Sequence, residues 1–330
     1  MTRLRQAPVT VLALFLGALV ALAAVPAPAQ EPFPSRPVQI VVPLPPGGAA
    51  DLHARPLAQA MERLLKQPVV VVNKPGAGSV LGTVAVANSR ADGHTLLIAM
   101  PGFFINPPVD ALFGRPPKFT IAQFTPIARL SADPLVLVVH PGRPWKTFAE
   151  LLADAKRRPG GVTYGTAGAY SGLHFPMEIL AVATGITLSH VPYSGAGPAV
   201  AALLGGHVDA MASGPGPVLS HVKTGGLRAL ATWGTSRLPA LPDVPTLKEL
   251  GVDVEYLLPV RIVARKETPP AALQVIRDAV RQAVGSPEFA GAMAKLGTAI
   301  AYLGADEDLA LWEKETRLIN QTLQRIGKIQ

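Results

Sequence analysis

The chain contains no cysteine. That absence excludes disulfides, thiolate metal sites and a cysteine nucleophile, so the fold must rest on packing alone. Common catalytic signatures are missing too. No Gly-x-Ser-x-Gly turn occurs, and Ser171, within Gly168-Ala169-Tyr170-Ser171-Gly172, stands at the wrong offset for one. The seven histidines form no i, i+4 pair and no His-Glu-x-x-His, and no dense carboxylate cluster replaces them, so a metal hydrolase lacks its ligands. Neither Gly-x-x-x-x-Gly-Lys-Ser/Thr nor a Gly-x-Gly-x-x-Gly after a strand is present. Beyond Val25 no long uncharged apolar run follows, and no short solenoid repeat is visible. A soluble, non-catalytic chain without cofactor or metal is expected.

What is present begins with an export signal. Arg3 and Arg5 precede an apolar run from Val9 to Val25, and Ala27 and Ala29 fit the small-residue positions of a signal-peptidase site. Residues 1–29 are read as a cleaved signal rather than an anchor, because the run is shorter than the roughly 20 residues a membrane span needs and ends in prolines. About 300 residues then remain, enough for two lobes of ordinary size. The formal charge of +8, lowered by two once Arg3 and Arg5 are removed, draws anions. Its basic residues are scattered, so no nucleic-acid partner is expected.

Short apolar runs alternate with helical stretches, the pattern of an α/β protein with mostly parallel strands. Candidate strands are Val38–Val42, Val69–Val72, Thr95–Ala99, Leu135–Val139, Val162–Tyr164, His190–Tyr193, Asp209–Ala212, Arg228–Thr232 and Arg261–Ala264. Thr268 reads as the cap of a helix entered through Pro269 and Pro270, and a last helix from Asp306 sets Leu309, Trp312, Ile319 and Leu323 on one face. The Pro- and Gly-rich segment from Pro101 to Pro117 reads as a surface connection. Four strands run into glycine turns and then helices: at Gly47-Gly48, Gly76-Ala77-Gly78, Gly165 to Gly172, and Gly195-Ala196-Gly197. A helix entered this way leaves its first amides unpaired, a seat for a small anion. Two lobes facing each other across a cleft is the economical arrangement.

Taken in order, Pro34-Ser35-Arg36-Pro37, Val41 to Gly48 with Asp51, Asn73 to Gly78, Ala91 to Leu97, Pro134 to Val139, Val191-Pro192-Tyr193, Leu204 to Asp209 and Leu241 to Thr246 resemble the Bug receptors. These are extracytoplasmic solute receptors of tripartite tricarboxylate transporters, and the resemblance spans the whole mature chain. It implies a two-lobed periplasmic binding protein of the type II, Venus-flytrap kind that closes on a small carboxylate. The expected lobes are residues 30–133 with 257–330, and residues 134–256, each a mostly parallel sheet flanked by helices. The expected partners are the membrane subunits of a transporter or, alternatively, a sensor protein, with the receptor itself monomeric.

Carried over by position, the resemblance puts Leu44, Pro46, Gly47, Gly48 and Ala49 in the first-lobe loop and Thr166, Gly168, Tyr170, Ser171 and Gly172 in the second. The amides of Gly48 and Ala49 and the amide and hydroxyl of Ser171 would be the carboxylate contacts, and Ser213 and Arg261 complete the expected ligand set. Asp51 and Asp209 are structural neighbours of the site, Asp51 capping free amides at its helix start. Ala169-Tyr170, Ser194 and Pro259-Val260-Arg261 depart from the family pattern, and Tyr170 and Arg261 would suit an aromatic or a second carboxyl group. Pro56, in an early helical turn, predicts a kinked or late-starting helix.

Overall fold

The computed structural model describes residues 32–328; the expected signal, 1–29, lies outside the described residues. The β-branched run Val38–Val42 forms strand β1, with every residue but Gln39 buried. After the glycine turn, helix α1 (Ala49–Leu65) sets Ala50, Ala54, Leu57, Ala58 and Met61 at helical spacing against the sheet. It starts immediately after the turn and runs through Pro56, so the expected late start is not found. The first sheet is completed by β2 (Val69–Asn73), β3 (Thr95–Ala99), β4 (Phe124–Pro134), β10 (Leu257–Arg265) and β11 (Ile300–Gly304), in the order β11-β4-β10-β3-β1-β2. Around it lie α2 (Val80–Ala87), α3 (Gly102–Leu112), α8 (Pro270–Val284), α9 (Pro287–Leu296) and α10 (Ala305–Ile326).

The second sheet contains β5 (Val136–Val139), β6 (Thr163–Thr166), β7 (Ser189–Pro192), β8 (Ala210–Ser213) and β9 (Arg228–Thr232), in the order β7-β6-β8-β5-β9. Its helices are α4 (Phe148–Arg157), α5 (Phe175–Thr184), α6 (Ala196–Leu204) and α7 (Pro215–Lys223). The chain is α/β and two-sheeted, but the sheets are mixed: β1 pairs parallel with β2 and β3, and β6 with β7 and β8, whereas β4, β5, β10 and β11 pair antiparallel. Returning strands inserted between βα units account for the difference.

Two connections join the halves. One passes from β4 to β5 at Pro134 and Leu135, and the other from β9 to β10. They run side by side, Leu257 opposite Pro134 and the Trp233 amide donating to the Leu135 carbonyl at 3.0 Å. Three local expectations are corrected. Pro101 to Pro117 is no surface connection: it holds α3, and burial of Phe103, Phe104 and Ile105 outweighs the cost of Pro107 and Pro108 within the helix. Thr268 does not cap α8, whose N-cap is Pro269. Of the face expected on the last helix, Leu309 is exposed while Trp312 and Leu323 are buried.

The end of α10 reaches both halves. Leu323 and Ile319 pack with Ile105 and Val109 of α3, with Tyr170 and Phe175 beside the second sheet, and with Tyr256 at the crossing.

Candidate functional site

Between the halves lies an open cleft, whose atom-free space of about 560 Å³ includes the solvent at its mouth. Helix starts make most of its wall: Gly48, Ala49 and Ala50 at α1, Gly78 and Ser79 at α2, Pro101 and Gly102 at α3, Ala196 at α6, and Gly214 and Pro217 at α7. The N-caps of α1, α2, α6 and α7 are Gly48, Ser79, Gly195 and Gly214, and none caps its helix through a side chain. Outside the cleft, Thr147 caps α4 and Ser286 caps α9. At α1, α6 and α7 such a start leaves free amides and about half a positive charge at the cleft, whereas at α2 the Val80 and Leu81 amides donate to the Ala77 and Gly76 carbonyls. Among the described residues, the lining includes no Lys, Arg, His, Asp or Glu. The arrangement can therefore hold an anion by oriented amides without any cation.

The remaining wall is apolar, made by Leu44, Met100, Ala167, Leu173 and Leu258, and the side-chain hydroxyls are those of Ser79, Ser171 and Ser213. The Ser171 amide donates to the Gly168 carbonyl at 3.1 Å, so it is not free for a ligand as expected. Its hydroxyl oxygen accepts from the Leu173 and His174 amides at 3.4 and 3.3 Å, which leaves its own proton free. The Ser213 hydroxyl donates to the Gly214 carbonyl at 3.0 Å and would have to rotate to serve an anion.

The halves touch at glycines beside the cleft. A Cβ on Gly195 would fall 2.3 Å from Pro45 Cδ, one on Gly197 2.7 Å from the Pro46 carbonyl, and one on Gly172 3.0 Å from Pro101 Cβ. Close approach, not φ, demands glycine at Gly195, whose backbone is extended at φ 170.

Of the expected ligand residues, Leu44, Gly48, Ala49, Ser171, Gly172 and Ser213 line the cleft together. Pro46 and Gly47 shape the turn behind it, Gly47 with φ 83. Thr166 and Gly168 brace the second loop, the Gly168 amide donating to Thr166 Oγ1 at 3.1 Å. Tyr170 does not face the cleft: it is buried in the apolar cluster that joins the halves, its ring edge-on to Phe113 at 5.9 Å. Arg261 is withdrawn as a ligand residue. It is fully buried, Nε 2.8 Å from Asp308 and Nη2 2.5 Å from Glu315, with its guanidinium over the Phe104 ring.

The expected structural carboxylates do brace loops. Asp51 accepts from the Gly47 amide at 3.1 Å, pairs with Arg55 and accepts from Asn73, which also donates to the Leu44 carbonyl. Burial would raise its carboxyl, but these donors outweigh it and hold it below the usual range. Asp209 accepts from the Thr163 amide and pairs with Arg143. Beneath the first turn of α1, burial pushes His53 down to about 4 and keeps it uncharged. Its Nδ1 lies 2.7 Å from the Ala49 carbonyl and its Nε2 2.8 Å from Ser131 Oγ.

Sequence reasoning missed Ser79, Met100, Pro217 and Leu258, because only the fold brings them beside the glycine turns. Ser79 had a local signal, since it follows one of the four turns. Among the described residues, no group of three or more His, Asp or Glu could hold a metal, and no helix is long and apolar enough to cross a membrane.

Residues 53–329 match the model of the tripartite tricarboxylate transporter family receptor. A protein of the gbd 5′ region of Cupriavidus necator is 38% identical over 312 residues, covering 94% of each chain. BugT of Bordetella pertussis is 36% identical over 284 residues, 86% of this chain and 87% of that one. The periplasmic binding protein BugD superposes with TM-score 0.84 at 28% identity over 89% of this chain and 99% of its own. A Rhodopseudomonas palustris protein with adipate gives 0.83 at 26% identity, over 89% of this chain and 98% of that one. MatC of the same organism, with bound malate, gives 0.78 at 26% identity, over 89% and 99%.

Proposed function

Because the chain belongs to the tripartite tricarboxylate transporter receptor family, whose members are solute-binding receptors and not enzymes, we propose that it captures a small carboxylate in the periplasm and delivers it to the membrane subunits of such a transporter. Its two lobes, residues 30–133 with 257–330 and residues 134–256, close on the ligand. The observation that carries this reading is the convergence of helix starts without side-chain caps, from both halves, on one cleft lined by no charged side chain among the described residues. The contacts are the amides of Gly48 and Ala49 and the hydroxyl of Ser171, with Gly172 and Ser213 beside them.

The cargo has an apolar body. Leu44, Met100, Leu173 and Leu258 offer no partner to a ligand hydroxyl, and burying one unpaired costs about 1–3 kcal/mol. An unsubstituted acid such as adipate is favoured over a hydroxy acid such as malate, each the ligand of a similar protein.

Titration calorimetry of residues 30–330 with adipate, malate and hexanamide tests this. Adipate is expected to bind about tenfold or more tighter than malate, and Ser171→Ala to weaken it by about tenfold, the worth of one hydrogen bond to a charged group. Equal binding of hexanamide, or no effect of Ser171→Ala, would overturn the anion reading.

A further inference from the structure

The second-lobe loop, from Thr166 to Gly172, presents Ala167, Ser171 and Gly172 to the cleft. Its backbone is unusual: Gly168 has φ 118, and Tyr170, which carries a side chain, has φ 56. A side-chain-bearing residue keeps a left-handed conformation only where its surroundings over-determine it. Here they do so through two histidines that do not line the cleft. His174, at the N-cap of α5, and His190, on β7, stack face to face with ring centroids 3.9 Å apart and planes 12° from parallel.

Each ring pins one end of the loop. His174 Nδ1 accepts from the Tyr170 amide at 2.8 Å. That leaves the proton on Nε2, 3.6 Å from Glu178 Oε1. His190 Nε2 lies 2.7 Å from Thr166 Oγ1, which in turn accepts from the Gly168 amide at 3.1 Å. One assignment satisfies the groups around Thr166: His190 Nε2–H donates to Thr166 Oγ1, and the Thr166 hydroxyl donates to the Gly168 carbonyl, also at 3.1 Å. Behind the pair, the Tyr164 ring lies 5.2 Å from that of His190, and its hydroxyl donates to Glu178. Burial and the neighbouring His174 hold His190 down at about 4, so it is uncharged.

Tyr164, Thr166 and His174 are fully buried. Apolar residues of the same volume would fill that space without the need to satisfy so many polar atoms. We infer that the stacked pair His174 and His190 is a positioning clamp, which fixes the Thr166–Gly172 loop in the conformation that offers Ser171 and Gly172 to the ligand. The inference rests on reading the cleft as the carboxylate site.

The test compares His174→Leu, which keeps volume but loses the acceptor, with His174→Asn, whose side-chain oxygen can replace Nδ1. Amide hydrogen exchange of the peptide covering residues 166–174 needs no ligand. Exchange is expected to rise about tenfold or more in His174→Leu and to return near wild type in His174→Asn, as for loss and recovery of one hydrogen bond. Adipate affinity should follow the same order. Thr166→Val, which removes the other pin with little change of shape, should also loosen the loop and serves if His174→Leu fails to fold. Wild-type protection in both His174→Leu and Thr166→Val, or failure of His174→Asn to rescue, would overturn the clamp. If wild type does not bind adipate, the cargo assignment fails while the exchange result still decides the clamp.

Discussion

Arg261 carries a charge that water does not reach, and Asp308 and Glu315 neutralise it. Asp308 also accepts from Trp312 Nε1 at 3.0 Å, so the pair ties the first sheet to α10. Removing one partner of a buried ion pair leaves the other uncompensated, which typically costs 3–5 kcal/mol. Arg261→Met is therefore expected to lower unfolding stability by about 3–5 kcal/mol in urea titration, while the folded fraction keeps wild-type adipate affinity. Reduced affinity with unchanged stability would return Arg261 to the binding site. The expectation that Arg261 serves a ligand rests on the departure of Pro259-Val260-Arg261 from the family pattern, and nothing local in the sequence points to Asp308 or Glu315, 47 and 54 residues away.

At the scale of elements, the starts of the cleft helices matter more than their side chains. Ala49 occupies the first helical position of α1, where an amide has no partner within the helix. Proline is well tolerated there, and Gly48, at φ −84 and ψ 169, already has the extended backbone proline requires before it. Ala49→Pro should thus delete one amide donor and spare the helix. The expected result is a melting temperature near that of wild type and about tenfold weaker adipate binding. A large loss of stability would mean that this amide serves the fold instead.

The strand, glycine turn and helix units were legible because β-branched runs and glycines are local signals. That is why Leu44, Gly48, Ala49, Ser171 and Gly172 could be read as loop residues at helix starts. Strand β4 was not legible, since Arg129, Ser131 and Asp133 break its apolar pattern. Their partners come from far along the chain: Arg129 donates to the Ala301 carbonyl and Asp133 accepts from the Ala299 amide. Helix α3 was hidden by Pro107 and Pro108, whose cost is met by an aromatic cluster of Phe103, Phe104 and Trp312 that only the fold assembles.

For the whole molecule, the halves meet beside the cleft at three approaches of glycine backbone to proline, Gly195 to Pro45, Gly197 to Pro46 and Gly172 to Pro101. Gly195→Val places side-chain atoms where Pro45 now sits, 2.3 Å from a would-be Cβ, without straining an already extended backbone. It is expected to hold the lobes apart: a larger radius of gyration by solution scattering, and adipate affinity reduced by about tenfold or more as the closed population falls. An unchanged radius with adipate present would show that closure does not use this contact. The cluster at the end of α10 adds a consequence in time. If the halves part to release cargo as proposed, Tyr170 and Phe175 would have to move against Leu323 and Ile319, a step that would add a barrier whichever acid is inside. On that reading cargo would escape no faster than this step, and a partner that grips both halves would speed unloading.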